Sequence, residues 1–401
     1  MNQMILKRKN WSGIIGGFIF LFLSFLFIAF SEIEAIPAFA RRYAFSCKTC
    51  HAPFPRLKDY GTEFMDNGYK VKDQETPRYF IDSGDSLLSL LREVPIALRI
   101  ESFITYNNSS TKKFDLSAPY IIKLLSGGEI NKHISYYLYF FFSERGEVAG
   151  LEDAFLMFDN LFNSGFDFYI GQFQVSDPLF KRELRLTQED YLIYTTKPGQ
   201  SKIDLTYDRG IMITKGLDSG TDFVVEIVNG SGISEANVFR NYDSDKYKNL
   251  LLRLSQDLGK QFRLGAVAYV GKEGEEETAN SLWMLGVDGT ATSPLFELNF
   301  QFILRHDSNS YFLPQSNESI RTKGGFAELI YLPQGEESRW YGLGLFNWVD
   351  SDQDNLDYLT LTLHGGWLFH RNFRLTVELS HFERSPYGRH LKLSLGLVTA
   401  F

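Results

Sequence analysis

Beyond residue 93 the chain alternates apolar and polar positions with a period of two over much of its length. Val94, Ile96, Leu98, Ile100, Ile104 and Tyr106 fall on one face, and Arg99 and Glu101 on the other. Near the carboxyl end Leu359, Leu361 and Leu363 oppose Tyr358, Thr360, Thr362 and His364, while Leu391, Leu393, Leu395, Leu397 and Thr399 share a face in the last run. Such alternation marks strands with one apolar and one polar surface. Candidate strands start near 93, 117, 132, 150, 166, 202, 221, 246, 260, 280, 294, 323, 338, 356, 372 and 389, sixteen in all. Connections after even-numbered strands are brief: Ser126-Gly127-Gly128, Leu217-Asp218-Ser219-Gly220, Asp257-Leu258-Gly259-Lys260, Ala291-Thr292-Ser293 and His370-Arg371-Asn372. Most after odd-numbered strands are longer, at about 107–116, 174–201, 232–245, 271–279 and 307–322. Outer-membrane barrels sort their loops this way and use even strand numbers, whereas a soluble sandwich has no reason to. The pattern predicts an all-β chain, an outer-membrane antiparallel β-barrel of about 16 strands, within a range of about fourteen to eighteen.

Composition agrees with this. Aromatic residues make up 15% of the chain, with 36 Phe and 21 Tyr, and mean hydropathy is only -0.17. Lipid-facing strands with aromatic girdles give that combination. The last residue, Phe401, ends a strand run, and so resembles the C-terminal signature by which bacterial outer-membrane barrels are recognised for insertion. A net charge of -8 argues against nucleic acid as a partner.

The N-terminus reads differently. Lys7, Arg8 and Lys9 precede an apolar run from Ile14 to Phe30 broken only by Ser24, the arrangement of an export signal. The run borders on spanning length, so an uncleaved anchor is the other reading. Ala38-Phe39-Ala40 offers a cleavage pattern and Ala35 a second one, which sets the start of the mature chain near Arg41. Three parts are expected: a signal peptide at 1–40, a small segment at 41–92 and the barrel at 93–401.

The small segment holds Cys47-Lys48-Thr49-Cys50-His51, which uses both cysteines of the chain. This is the spacing of covalent haem c attachment, with thioethers from Cys47 and Cys50 and His51 as proximal iron ligand. A redox dithiol or half a zinc site are the competing readings, but no thioredoxin-like pattern or further Cys ligands accompany the motif. A segment of this size is marginal without a staple, which haem supplies. Asp59 to Asn67 predicts a short helix closed by Gly68, with Phe54, Tyr60, Phe64 and Tyr69 available to cover the ring. A barrel of this size leaves room for a haem segment as plug or cap at the periplasmic mouth.

Met65, in the same segment, is the candidate distal ligand, and a packed helix-face methionine is the alternative. Met157, Met212 and Met284 lie in or near strands, and His133, His364 and His381 are strand-region candidates for an inward ligand. Arg41, Arg42, Arg56 and Lys58 are candidates for the haem propionates. Acidic runs at Glu273, Glu275, Glu276 and Glu277, and at Asp350, Asp352 and Asp354, either collect cations or only solvate loops.

From Pro37 to Val71 the features Pro37-Ala38-Phe39-Ala40-Arg41, the Cys47–His51 motif, Phe54-Pro55, Leu57, Tyr60-Gly61 and Gly68-Tyr69 resemble the opening of the fused monohaem cytochrome-porins, outer-membrane iron oxidases of iron-oxidising bacteria. The resemblance implies an Fe(II) oxidase. The expected function is electron transfer through one haem c between an extracellular donor or acceptor such as Fe2+ and a periplasmic c-type cytochrome, in outer-membrane lipid. The rival function is a diffusion porin whose haem-bearing plug is structural or sensory.

Overall fold

The structure, a computed structural model, describes residues 38–71, 80–81, 84–85, 88, 90–91, 94–109, 113–144, 146–148, 150–243, 245–314 and 318–401. The expected export signal, save the Ala38-Phe39-Ala40 pattern, lies outside them. Among the described residues sixteen antiparallel strands close into a barrel, each bonded to its sequence neighbours. They are β1 (Ile96–Asn107), β2 (Phe114–Asn131), β3 (Ile134–Glu144), β4 (Gly150–Phe158), β5 (Asp167–Gln174), β6 (Tyr207–Gly216), β7 (Thr221–Val228) and β8 (Asn249–Leu258). The second half comprises β9 (Phe262–Glu273), β10 (Asn280–Thr292), β11 (Phe296–Asp307), β12 (Ile320–Tyr331), β13 (Trp340–Ser351), β14 (Tyr358–His370), β15 (Phe373–Arg384) and β16 (His390–Ala400). Every expected strand is present, and the largest shift in start is at β6, which begins at Tyr207 and not near 202. The seam is sealed by β16 on β1, with Leu393 opposite Tyr106. Just past β16, Phe401 exchanges two backbone hydrogen bonds with Leu98, of 2.8 and 2.6 Å.

Side chains sort as the alternation requires. In β14, Leu361 and Leu363 are more than half exposed on the outer face, while Thr360, Thr362 and His364 are buried inside. In β16 the exposed outer leucines are Leu391, Leu393 and Leu395. An unbroken wall with no free edge satisfies its backbone internally, which a chain in lipid needs.

The short connections lie at one end and the long ones at the other, with one correction. Ser126-Gly127-Gly128 is not a turn; it lies within β2, and the chain reverses at Lys132 and His133. The glycines serve close approach. A Cβ on Gly127 would sit 3.3 Å from the Phe39 ring, and one on Gly128 would sit 2.7 Å from the Arg42 guanidinium.

The long connection at 175–206, between β5 and β6, turns into the lumen. Its Leu179, Tyr191, Ile193, Tyr194 and Leu205 join inward side chains such as Phe326 and Leu345 in one apolar cluster. Tyr191 stacks on Phe326 at 4.1 Å. Polar groups in the same loop are matched to the wall. Tyr194 donates to Gln301 at 3.0 Å, Arg305 donates to the Ile203 carbonyl at 2.7 Å, and the Gln188 and Glu189 amides donate to Glu378 at 2.7 and 3.0 Å.

Candidate functional site

Three short helices lie across the end of the barrel that carries the short turns: α1 (Ala38–Tyr43), α2 (Cys47–Cys50) and α3 (Asp59–Asp66). Helix α1 spans the expected signal boundary at residue 40, and Ala38 and Ala40 are both buried. Helix α3 forms as the sequence predicts and ends at Gly68, whose φ of 67° suits a glycine. The Tyr69 amide donates back to the Phe64 carbonyl at 2.9 Å. Gly61 lets α3 rest on the motif, because a Cβ there would meet the Cys50 carbonyl oxygen at 2.4 Å.

The segment is tied to the rim by charge. Lys48 pairs with Glu337 at 2.9 Å, Lys58 with Glu336, and Arg56 with Glu297. Lys70 donates to Asp159 and to the Lys132 carbonyl, both at 2.9 Å. Arg374 holds the Phe54 carbonyl at 3.1 Å. Exposed pairs such as Lys48–Glu337 are screened by solvent, so they orient more than they stabilise. Arg56 and Lys58 thus pair with rim carboxylates, and Arg41 donates to the Ile96 carbonyl.

Between segment and wall lies a largely apolar cavity of about 180 Å3, open to solvent on one side. Cys47, Cys50, His51 and Met65 all line it, together with Phe54, Phe64 and Tyr69. Tyr60 does not, whereas Phe39 and Phe45 do. Leu98, Leu125, Tyr137 and Tyr139 supply the strand side. A stacked series of rings enters the wall there, with Phe39 to Tyr69 at 5.3 Å and Tyr69 to Tyr137 at 5.2 Å.

The geometry of His51 fixes its tautomer. Its Nδ1 lies 2.9 Å from the Pro55 carbonyl and 3.3 Å from that of Arg56. Carbonyls only accept, so Nδ1 carries the proton and Nε2 keeps a lone pair. Burial pushes the imidazole pKa down to about 4, so it is neutral at pH 7. A ring bonded to carbonyls through one nitrogen is how proteins orient a metal-binding histidine. Burial raises both cysteine thiols above their ordinary pKa, the opposite of an activated redox thiol. Among the described residues no group of three or more His, Cys, Asp or Glu could hold a metal ion, so the half-zinc reading finds no second half.

The other candidates scatter. His364 is buried in the lumen with both nitrogens engaged, Nε2 by the Tyr341 hydroxyl at 3.1 Å and Nδ1 by Glu378 at 2.8 Å. His133 is exposed in the β2–β3 turn. His381 lies on the outer face of β15, bonded to Glu383 at 3.1 Å. Met157, Met212 and Met284 are buried inside the barrel. Two of the loop acids have cationic partners, Glu276 in Lys246 and Asp350 in Lys323. The cavity cations Arg99, Lys123 and Lys181 escaped the sequence reading because strand and loop lysines carry no local motif.

No family model matches the sequence, and no curated protein matches it either. Solved structures do match in fold. An anion-selective porin from Comamonas acidovorans superposes with a TM-score of 0.55 at 9% identity, covering 77% of this chain and 99% of that one. OmpF of Salmonella typhi, solved with daunomycin, gives 0.55 at 10% identity, covering 77% and 97%. The outer membrane channel DcaP of Acinetobacter baumannii gives 0.54 at 13% identity, again covering 77% and 97%. The chain has the fold of a porin-like β-barrel.

Proposed function

We propose that the protein is an outer-membrane electron carrier of a Gram-negative-type bacterium, holding one covalent haem c at the periplasmic mouth of a porin-like barrel. The observation that carries this is the convergence of Cys47, Cys50, His51 and Met65 on one largely apolar cavity, with the Nδ1 of His51 bonded to a carbonyl. These residues fit the group. Cys47 and Cys50 would anchor it, His51 would serve as proximal ligand and Met65 as distal ligand, and Phe54, Phe64 and Tyr69 would exclude water. When bound, such a group supplies one-electron exchange at its iron, with a potential set by the axial ligands. The Pro55 and Arg56 carbonyls hold the imidazole orientation throughout.

The resemblance to monohaem cytochrome-porins favours Fe2+ as extracellular donor and an Fe(II) oxidase activity. An apolar band about 25 Å tall exceeds what one haem bridges, so a periplasmic c-type cytochrome is the natural second partner. A diffusion porin with a structural plug is the rival, and likeness to solved porins favours it. The apolar packing of loop 175–206 against the wall speaks for a closed lumen. Mixing purified protein with Fe2+ at near-neutral pH in a stopped-flow spectrometer should reduce the haem, and His51→Ala should abolish this. Protein reduced by dithionite and not by Fe2+ removes the iron role. Steady, large ion conductance in planar bilayers favours the porin. Met65→Ala should lower the potential, since a thioether ligand raises it; an unchanged spectrum removes Met65 as ligand.

A further inference from the structure

Lys123 on β2 is a buried cation held at a distance from its anions, of which Glu183, on the lining of the same cavity, acts on it most strongly. It is 5% exposed and lines the cavity. Its ammonium lies 4.2 Å from the Phe141 ring centre and 5.0 Å from that of Tyr139. Among the described residues no carboxylate stands within salt-bridge distance of it, whereas its neighbours are paired. Arg99 pairs with Glu101, and Lys181 pairs with Asp177 at 2.7 Å and lies 3.8 Å from Asp153. The charged groups that influence Lys123 are Arg99 and Glu101 on β1, Glu152 on β4 and Glu183 on the inturned loop. The Tyr207 hydroxyl lies within hydrogen-bond reach of both Glu183 and Glu152 and donates its one proton to one of them at a time. Aromatic faces offset only part of the cost of burying an ammonium.

Position adds the second half. Lys48, inside the cysteine motif, reaches the exposed rim residue Glu337. Along β2, Lys123 lies inward of Gly127 and Gly128, where α1 is seated. The cysteine motif therefore lies on the rim side of the cavity and Lys123 farther along the strand from the rim. In a haem c the thioether edge and the carboxylate edge lie on opposite sides of the ring.

We propose that Lys123 is the counter-cation for a carboxylate on the occupant of the cavity, and, resting on the haem assignment above, that this carboxylate is a haem propionate. The barrel wall, and not the cytochrome segment, would then set the charge beside the iron. Removing a cation beside the haem leaves negative charge uncompensated and favours the ferric state.

The test uses full-length protein matured with haem and purified in detergent. Haem staining comes first: wild type without covalent haem overturns the haem assignment and this proposal together. In haem-loaded protein, Lys123→Met should keep the stain and shift the ferric-to-ferrous ratio at fixed ambient potential about tenfold toward ferric, ~59 mV for a one-electron couple. Lys123→Arg should stay near wild type. A haem-loaded Lys123→Met with wild-type potential between about pH 5 and 8 overturns the role of Lys123 and leaves the haem assignment standing. Should the variant fail to assemble, infrared spectra of wild type carrying carboxylate-labelled haem decide. A propionate that stays ionised below about pH 4 supports the pairing, and one that titrates at or above that value overturns it.

Discussion

Two pieces of chain meet the lumen, one folded into it and one laid across its end, and they treat its space in opposite ways. Loop 175–206 fills what it occupies: Tyr194 and Ile203 are at most 2% exposed, and the Tyr191 and Tyr194 hydroxyls bond to Glu328 and Gln301. Segment 38–71 does the reverse. It lines a cavity with both cysteines, His51 and Met65 and pins itself to the rim around that space. A region whose own side chains complete its packing is structural, whereas under the function proposed above this cavity would take the haem as its guest.

The contrast breaks most completely by removing the guest's anchors. Replacing Cys47 and Cys50 together with Ala should abolish covalent haem on a denaturing gel and expose residues 38–71 to protease, with loop 175–206 still protected. Retained staining would sink the assignment. Next comes the loop. Tyr194→Ala empties a fully buried site and should cost about 3–5 kcal/mol, read as a lower temperature for loss of the compact gel form in detergent; haem content should not change.

A smaller effect is expected from pH. Burial raises the Asp190 carboxyl pKa, but Arg185 and Arg182 outweigh burial and hold it well below the usual range, with Arg182 Nε 3.1 Å from both oxygens. A depressed folded pKa contributes stability above the unfolded value, near 4, that is lost as pH falls through the folded value. Asp190→Asn should therefore destabilise at neutral pH by about 1–3 kcal/mol and flatten the acid limb of a thermal melt. An acid limb identical to wild type would exclude this pair. A change of similar size is expected from Gly128→Ala, which pushes a methyl toward Arg42 at a φ of 150° that strains an L side chain and should cost about 1–3 kcal/mol, seen as faster proteolysis of α1 and not of the loop.

These outcomes follow how much each region revealed in one dimension. The faces of β14 and β16 were legible because alternation is local, and the Cys47–His51 motif because its spacing is the chemistry. Gly127 and Gly128 were read as a turn since glycine punctuates; their purpose depends on Phe39 and Arg42, distant in sequence. The ion pairs of Arg56 and Lys58 leave no trace in the sequence because Glu297 and Glu336 become neighbours only when the barrel closes. The length of the connection near 174–201 was visible, but not its inward course, although Leu179, Ile193 and Leu205 are more apolar than an outer loop requires. Lys123 had no signal, since direction into the lumen decides its meaning.

The pair of backbone bonds joining Phe401 to Leu98 also governs timing. Ala400 lines the cavity alongside Ala38 and Leu98, so its wall joins α1 to the closing pair of strands, β16 and β1. The chamber is unfinished until β16 zips onto β1. Any chromophore tethered at Cys47 and Cys50 would thus act as a clock for assembly: its environment changes at the moment the cylinder becomes whole, and an optical trace records the final step of folding.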